Sequence, residues 1–502
     1  MASAAAILCA LLLIAFVRAV VQRKTDPIYR IPTVGGSSAP LLSYRTAFNF
    51  LLHAKHLIQE GYSKYPIFKV AMFNQWIVVV SGAELNEELR RIPDEDMSFF
   101  EAAEELVQAK YTIAPERHES HLTAIRNQLT RNISLVLPDM IDEITTTLKE
   151  LVPAKGDGKS PWNKWVAVPA LESVRSIVMR TTNRIFVGLP LCRDPEYIEI
   201  VTTYLDGVMK GCAILFLLPG FLKPFVGPIL PWVKRSIRRL YPVLAPTVKE
   251  RIRQLEEHKK TSEDLTMWTL EEMADFKQRD PIEILTQCTL SSNAVALHTT
   301  SLTMAHALYD LAAHPEYIKP LREEIESAIK QEGWTKAAMG KMWKVDSFLK
   351  ESSRVHGVTV FSLMRKAVRD LTLSNGTSIP AGCFVTATTT STHMDGELYD
   401  RPEAFEPFRF SDKRAQENEK TKNHFVTTSS GFLLFGHGKH ACPGRFFAAS
   451  QLKLILIITV LSYDIKFADG KRPENELMAT TIFPSRSAKM MFRLRQDAPV
   501  AL

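Results

Sequence analysis

The sequence predicts a mainly α fold with a small β portion, built as one large domain behind an N-terminal apolar helix. Three observations predict it. Helical periodicity covers 118–135, 138–151, 168–187, 231–258, 281–313 and 317–331. Strand-like runs are short: WIVVV at 76–80, DLTLSN at 370–375, GCFVTATT at 382–389 and MMFRLR at 490–495. Neither an internal repeat nor an obvious linker interrupts the chain after residue 40. With 502 residues, 46% of them apolar, the chain has ample material for a core. A body spanning 41–502 exceeds the usual size of a single core, so an enclosed ligand is expected to complete it.

The first element is the apolar run Ala2–Val17, which carries no charge. It extends to Val21 if Arg18 snorkels, about the length that spans a bilayer. A cleaved secretory signal is the rival reading. Positive charges follow the run and none precedes it, which favours an anchor over 1–22 with the body in the cytoplasm. The sequons at Asn132 and Asn375 then face the cytoplasm and stay unmodified. The stretch 23–40, with Pro27, Pro32, Gly35 and Gly36, cannot continue a helix and is read as a linker.

Charged residues make up 23% with no single-sign block, and the net charge of +7 is mild for this length. That excludes a nucleic-acid binder and suits anionic lipid or an acidic partner. The six cysteines contain no CxxC pair, which excludes a disulfide framework or a zinc site.

The longest helix starts at Asp280 as N-cap with Pro281 in the first turn, and no Pro or Gly follows until Pro315. At its middle His298, Thr299 and Thr300 interrupt an apolar stretch and need hydrogen-bond partners. A threonine there either bonds back one turn or presents its hydroxyl to a cavity.

The segment richest in chemistry is GFLLFGHGKHACPGRFFA, residues 431–448. Gly436, Gly438, Pro443 and Gly444 make a tight loop that delivers Cys442 just before a helix starting near Arg445. A thiolate there is stabilised by the helix N-terminus and is the soft, electron-rich ligand an iron porphyrin needs. The bland alternative is a buried free cysteine in a turn.

FGHGKHACPG resembles the haem-binding signature of the cytochrome P-450 superfamily, with Phe435, Gly438, Cys442 and Gly444 in its four fixed positions and His440 where an arginine is usual. The resemblance implies the P-450 fold, heme b on a Cys442 thiolate, and oxygen-activating monooxygenase activity. Glu351 and Arg354 match the family's ExxR element, and Arg409 matches the third member of its charge triad. Residues i and i+3 share a helix face, so with Arg409 they would form a buried cluster locking the Cys442 loop, the alternative being an exposed ion pair worth little. Arg365, His440 and Arg126 are the candidate propionate ligands, with His121 a further one; the family's Trp-xxx-Arg element is unmatched, since Leu122 stands four before Arg126. Thr299 falls on the threonine that guides protons towards dioxygen. His298 stands where the family has a carboxylate and is a candidate proton relay.

HTTS (298–301) together with the Cys442 segment looks most like fungal members near the ent-kaurene oxidase group. Residues 211–231 hold one charge, Lys223, and four prolines. A second span is one reading, and a loop dipping into the membrane beside the substrate entrance is the other, which the prolines favour. A lipophilic substrate follows, plausibly a terpenoid of fungal secondary metabolism. Pocket-lining segments implied by resemblance are 96–117, about 205–245, 289–298, 356–364 and 479–484. Electrons are expected from NADPH through a separate cytochrome P-450 reductase, with Lys439 and Arg445 facing it, at the endoplasmic reticulum membrane. A haem-thiolate isomerase or dehydratase working without dioxygen is the alternative that His298 keeps open, and a haem-binding sensor or carrier is a third class.

Overall fold

In the computed structural model, the described residues are Val17, Val21, 25–39, 42–73, 75–113, 119–152, 164–273, 280–416 and 422–497. The expected anchor over 1–22 lies outside them, save Val17 and Val21.

Helices dominate. The longest, Pro281–Ala313, has the expected boundaries because Asp280 accepts from the Ile282 amide at 2.9 Å and Pro281 pre-sets the first turn. It is buried on almost every face, as an apolar helix at the centre of a large core must be. Around it pack Ile133–Leu151, Ala170–Phe186, Pro195–Leu217, Trp232–Glu256, Trp343–Val355 and Arg445–Ser462, sharing one apolar core. Pro195–Leu217 and Arg445–Ser462 are also long and apolar enough to cross a membrane, but the second is mostly interior to this core.

The β portion is a five-stranded sheet in the order Ile67–Ala71, Trp76–Val80, Phe384–Thr388, Phe361–Ala367, Met97–Ser98. Its pairs are antiparallel except Trp76–Val80 with Phe384–Thr388. Separate apolar clusters cover it. A bulge between Ser362 and Arg365, with Leu363 at φ 52°, bends the strand carrying Arg365. A three-stranded sheet joins Val166–Pro169, Lys489–Leu494 and Tyr463–Lys466, and Glu476–Met478 pairs with Thr481–Phe483 as a hairpin.

Four expectations shift. The helix read over 118–135 is Ser120–Ala124 followed by a π turn, Ile125–Leu129. Pro138 does not open the next helix but lies inside Ile133–Leu151, where burial of Ile133, Val136, Leu137 and Met140 outweighs the lost backbone bond. Only Leu371–Thr372 of 370–375 is strand. The apolar stretch 211–231 is helical to Leu217 and then breaks at Pro219 into short turns, so it is not one continuous helix.

Residues 26–36, within the expected linker, are packed. Ile28, Ile31 and Val34 are buried, Thr33 bridges to Lys69, and the buried Lys69 ammonium donates to the carbonyls of Ile28 at 2.9 Å and Ile31 at 2.5 Å. Replacing Lys69 with methionine leaves both carbonyls without that donor, a loss of about 1–3 kcal/mol. The expected result is a lower denaturation midpoint with faster amide exchange over 26–36; unchanged exchange there would contradict it.

Candidate functional site

The Cys442 loop is built from its glycines. Gly436 and Gly438 have φ of 69° and 78°, a region that side chains resist, and a Cβ at Gly438 would lie 2.4 Å from Arg90 Cγ. The turn closes on itself, with the Cys442 amide donating to Phe435 O at 2.8 Å. Phe435 meets Phe425 edge-on at 5.3 Å. Gly444 then caps the helix Arg445–Ser462 and lies against Ile125 of the π turn.

The Cys442 sulfur is delivered beside the N-terminus of the helix Arg445–Ser462, and the Arg445 amide donates to Cys442 O at 3.4 Å. Burial pushes the thiol above its ordinary value, while the amides of Gly444 and Arg445 and the Arg445 guanidinium pull the other way. Such a group is a protonated thiol on its own, and a cation at the sulfur tips it to thiolate. Arg445 also donates to Cys442 O at 2.8 Å, fixing the loop's exit.

The triad expected from Glu351, Arg354 and Arg409 is assembled and buried. Arg354 donates Nε and Nη2 to the two oxygens of Glu351, each at 2.8 Å. Arg409 Nε reaches Glu351 Oε1 at 3.1 Å, and the Glu406 amide adds a bond at 3.0 Å. The remaining guanidinium donors go to carbonyls, Arg354 to His393, Pro402 and Ala404 and Arg409 to Asp400 and Arg401, while Arg409 Nη2 also pairs with the Glu406 carboxylate at 3.1 Å.

His393 connects this cluster to the loop. Its carbonyl takes Arg354 Nη1 at 2.7 Å, its ring stacks on Phe432 at 5.0 Å, and its Nε2 accepts from the Leu433 amide at 2.9 Å. An acceptor Nε2 requires a neutral imidazole, consistent with burial and Arg354 pushing its pKa down to about 3. No sequence signal flagged His393, because its partners lie far away along the chain.

Arg365 and His440 converge on Phe99: the guanidinium sits 5.6 Å above the ring and the imidazole stacks on it at 4.8 Å. Arg365 is buried, donates to Met364 O at 2.9 Å, and pairs with no carboxylate among the described residues. A buried guanidinium without a counter-charge suits an anionic group. His440 is engaged by Asp94, 2.5 Å from Nε2, and Lys439 reaches the same carboxylate at 2.9 Å. Asp94 was invisible to sequence reasoning, being 346 positions from His440. Arg126 is exposed on the π turn and forms no ion pair among the described residues. His121 lines a crevice with Phe186, Leu265, Cys288 and Ser292, and Ile125 is the residue of this segment that approaches Gly444.

In the long helix, which packs against Arg445–Ser462, two residues one turn apart break the burial: Val295, 65% exposed, and Thr299. Thr299 makes a long bond back to Val295 O at 3.3 Å, so its hydroxyl is weakly held and accessible. His298 points elsewhere. Its ring meets Phe483 edge-on at 5.6 Å, its Nε2 is buried without a partner, and burial with nearby Arg175 lowers its pKa. Both causes favour the neutral imidazole over the charged form.

Three turns on, Asp310 gathers Arg472 Nε at 2.6 Å, His356 Nε2 at 2.9 Å and Ser352 Oγ at 2.5 Å, tying the helix to the chain that enters the Glu476–Phe483 hairpin. Sequence reasoning missed this cluster as well, since its members come from three separate segments.

The residues present therefore fit a flat anionic group with a soft ligand: a sulfur at a helix N-terminus, a buried guanidinium with no carboxylate in contact among the described residues, and an accessible patch on an otherwise buried helix.

Comparison with known proteins agrees. The cytochrome P-450 family model matches residues 41–492. Cytochrome P-450 monooxygenase 151 of Postia placenta is 53% identical over 480 residues, covering 94% of this chain and 95% of that one. Cytochrome P-450 monooxygenase CYP512U6 of Ganoderma lucidum is 34% identical, covering 94% and 93%. Among solved structures, retinoic acid-bound cyanobacterial CYP120A1 superposes with a TM-score of 0.67 at 20% identity, over 89% of this chain and 96% of that one.

Glu351→Gln leaves two buried guanidiniums short of their counter-charge, and a loss of about 3–5 kcal/mol in denaturant unfolding is expected; an unshifted midpoint refutes the cluster's role. Stability should also fall with pH. The folded-state value of His393, about 3, lies below its ordinary 6.5, so the unfolded chain takes the proton first. Its contribution is complete above 6.5 and drains as pH falls towards 3, about 2 kcal/mol by pH 5. His393→Asn should flatten the decline between pH 7 and 5, and an unchanged slope would exclude the assignment.

Proposed function

The chain belongs to the cytochrome P-450 family and is an oxidoreductase of the monooxygenase class, and from that premise we propose that Cys442 provides the thiolate holding the haem iron. Family membership brings a haem-thiolate cofactor and electrons from a separate reductase. The bound haem supplies the dioxygen chemistry that places one oxygen atom on the substrate and reduces the other to water. The observation that carries the assignment is a cysteine held in a glycine-shaped loop, its amide bonded to Phe435 O at 2.8 Å, immediately before the N-terminus of the helix Arg445–Ser462.

Phe435, Gly438 and Gly444 shape that loop, and Glu351, Arg354 and Arg409 hold it through His393. Arg365 is the first candidate for a propionate, supported by its burial without a counter-charge. His440, half committed to Asp94, and the exposed Arg126 are further candidates, with His121 the weakest by position. Thr299 presents its hydroxyl proton to the substrate side, supported by its accessibility on a buried helix. His298, neutral and unpartnered at Nε2, holds or accepts a proton one residue away.

The substrate is a lipophilic molecule, a terpenoid in our reading, oxidised by an enzyme anchored through residues 1–22 in the endoplasmic reticulum membrane and followed by the catalytic body from residue 41. Its electrons come from NADPH through the reductase, with Lys439 and Arg445 on the docking face. Leu217, Phe221, Phe225 and Ile229, between 60% and 76% exposed, support contact of the 211–231 segment with the bilayer beside the entrance.

Cys442→Ser should abolish the thiolate-type carbon monoxide spectrum. Thr299→Ala should keep that spectrum but divert reductase electrons into hydrogen peroxide. An unchanged spectrum in the first variant, or full coupling in the second, would overturn the respective role.

A further inference from the structure

The turns after Pro219 end at a groove of about 420 Å³ whose walls differ in chemistry. One wall is the apolar run 228–231, and the other is Lys234, Arg235, Arg238 and Arg239. The cations fall at i, i+1, i+4 and i+5 of the helix Trp232–Glu256, so they share one face. Only Arg239 is matched among the described residues, to Glu199 at 3.1 Å; Lys234 donates to Pro228 O at 3.1 Å, and Arg235 and Arg238 form no ion pair. The helix Trp232–Glu256 has Pro231 as N-cap with no side-chain cap, so its first-turn amides lack intrahelical acceptors and the positive end of its dipole lies at the groove lined by Pro231 and Lys234. Immediately before it stand Phe221, Phe225 and Ile229, each more than 70% exposed.

We propose that this groove binds the headgroup of an anionic phospholipid, with the acyl chains lying along Phe221, Phe225 and Ile229. This rests on the reading that 211–231 meets the bilayer, and adds which lipid it selects there. Charge complementarity and position argue for that occupant. An anion satisfies the unmatched guanidiniums and the open amides, while the neighbouring apolar ridge needs hydrocarbon at the same time. A free phosphate would leave the ridge in water, and an acidic protein face would meet it with charge.

The test is amide hydrogen exchange of the full-length holoenzyme in vesicles of phosphatidylcholine, with and without phosphatidylserine. Peptides over 217–231 report bilayer contact, and the fast first-turn amides at 232–234 report the headgroup. The expected result is protection of 217–231 in both membranes and extra slowing at 232–234 only with phosphatidylserine. High salt should weaken that slowing. The triple variant Lys234→Gln, Arg235→Gln, Arg238→Gln should reduce it on the order of tenfold while keeping the carbon monoxide spectrum. Equal exchange at 232–234 in the two membranes, with 217–231 protected, overturns the headgroup site and leaves the bilayer contact standing. No protection of 217–231 in either membrane overturns both. Loss of reductase-driven turnover in the variant without any lipid-dependent change assigns the cations to an acidic protein and also overturns the proposal.

Discussion

Everything around the Cys442 loop depends on one buried carboxylate being fully used. Glu351 has no contact with solvent, and an ionised carboxylate there is tolerable only with every lone pair engaged. Two guanidiniums and the Glu406 amide meet that demand, and the guanidiniums discharge their spare donors on the backbone between His393 and Ala404. Such a cluster contributes little net stability against an apolar substitute. Its value is geometric, because each bond has one acceptable distance and the chain between 393 and 409 has to sit where the bonds require. Through the ring of His393 the constraint reaches Leu433, two residues before the carbonyl that takes the Cys442 amide.

Much of this was readable in the residues, and the reason is locality. Asp280 and Pro281 start a helix by themselves, and the glycines at 436, 438 and 444 dictate a turn without outside help. Glu351 and Arg354 lie on one face by spacing alone. What escaped reading is what depends on distant partners. Asp94 meets His440, His393 meets Leu433, and Asp310 meets Arg472 across 162 positions, with no local pattern to mark them. Pro138, Pro242 and Pro246 sit inside helices against their own preference, because buried residues around them pack better that way. The accessibility of Val295 and Thr299 is equally illegible, being a property of what lies opposite.

His298 shows how environment reassigns a side chain. Its position suggested a group exchanging protons freely near neutrality, yet apolar surroundings, the Phe483 ring and a nearby arginine favour the neutral form. A neutral imidazole still carries one donor and one acceptor nitrogen. On the reading that His298 stands in the place of a carboxylate, the exchange would change the charge at that position more than its hydrogen-bonding capacity.

The packing of residues 26–36 bears on the anchor proposed for residues 1–22. Because Ile28, Ile31 and Val34 are pinned to the sheet and to Lys69, the chain is fixed to the body from about Asp26 onward. If the proposed anchor ends at residue 22, the chain from there to this packed segment spans at most roughly 14 Å. On that reading the connection would act as a mooring and not a leash, letting the body pivot without drifting far from the lipid.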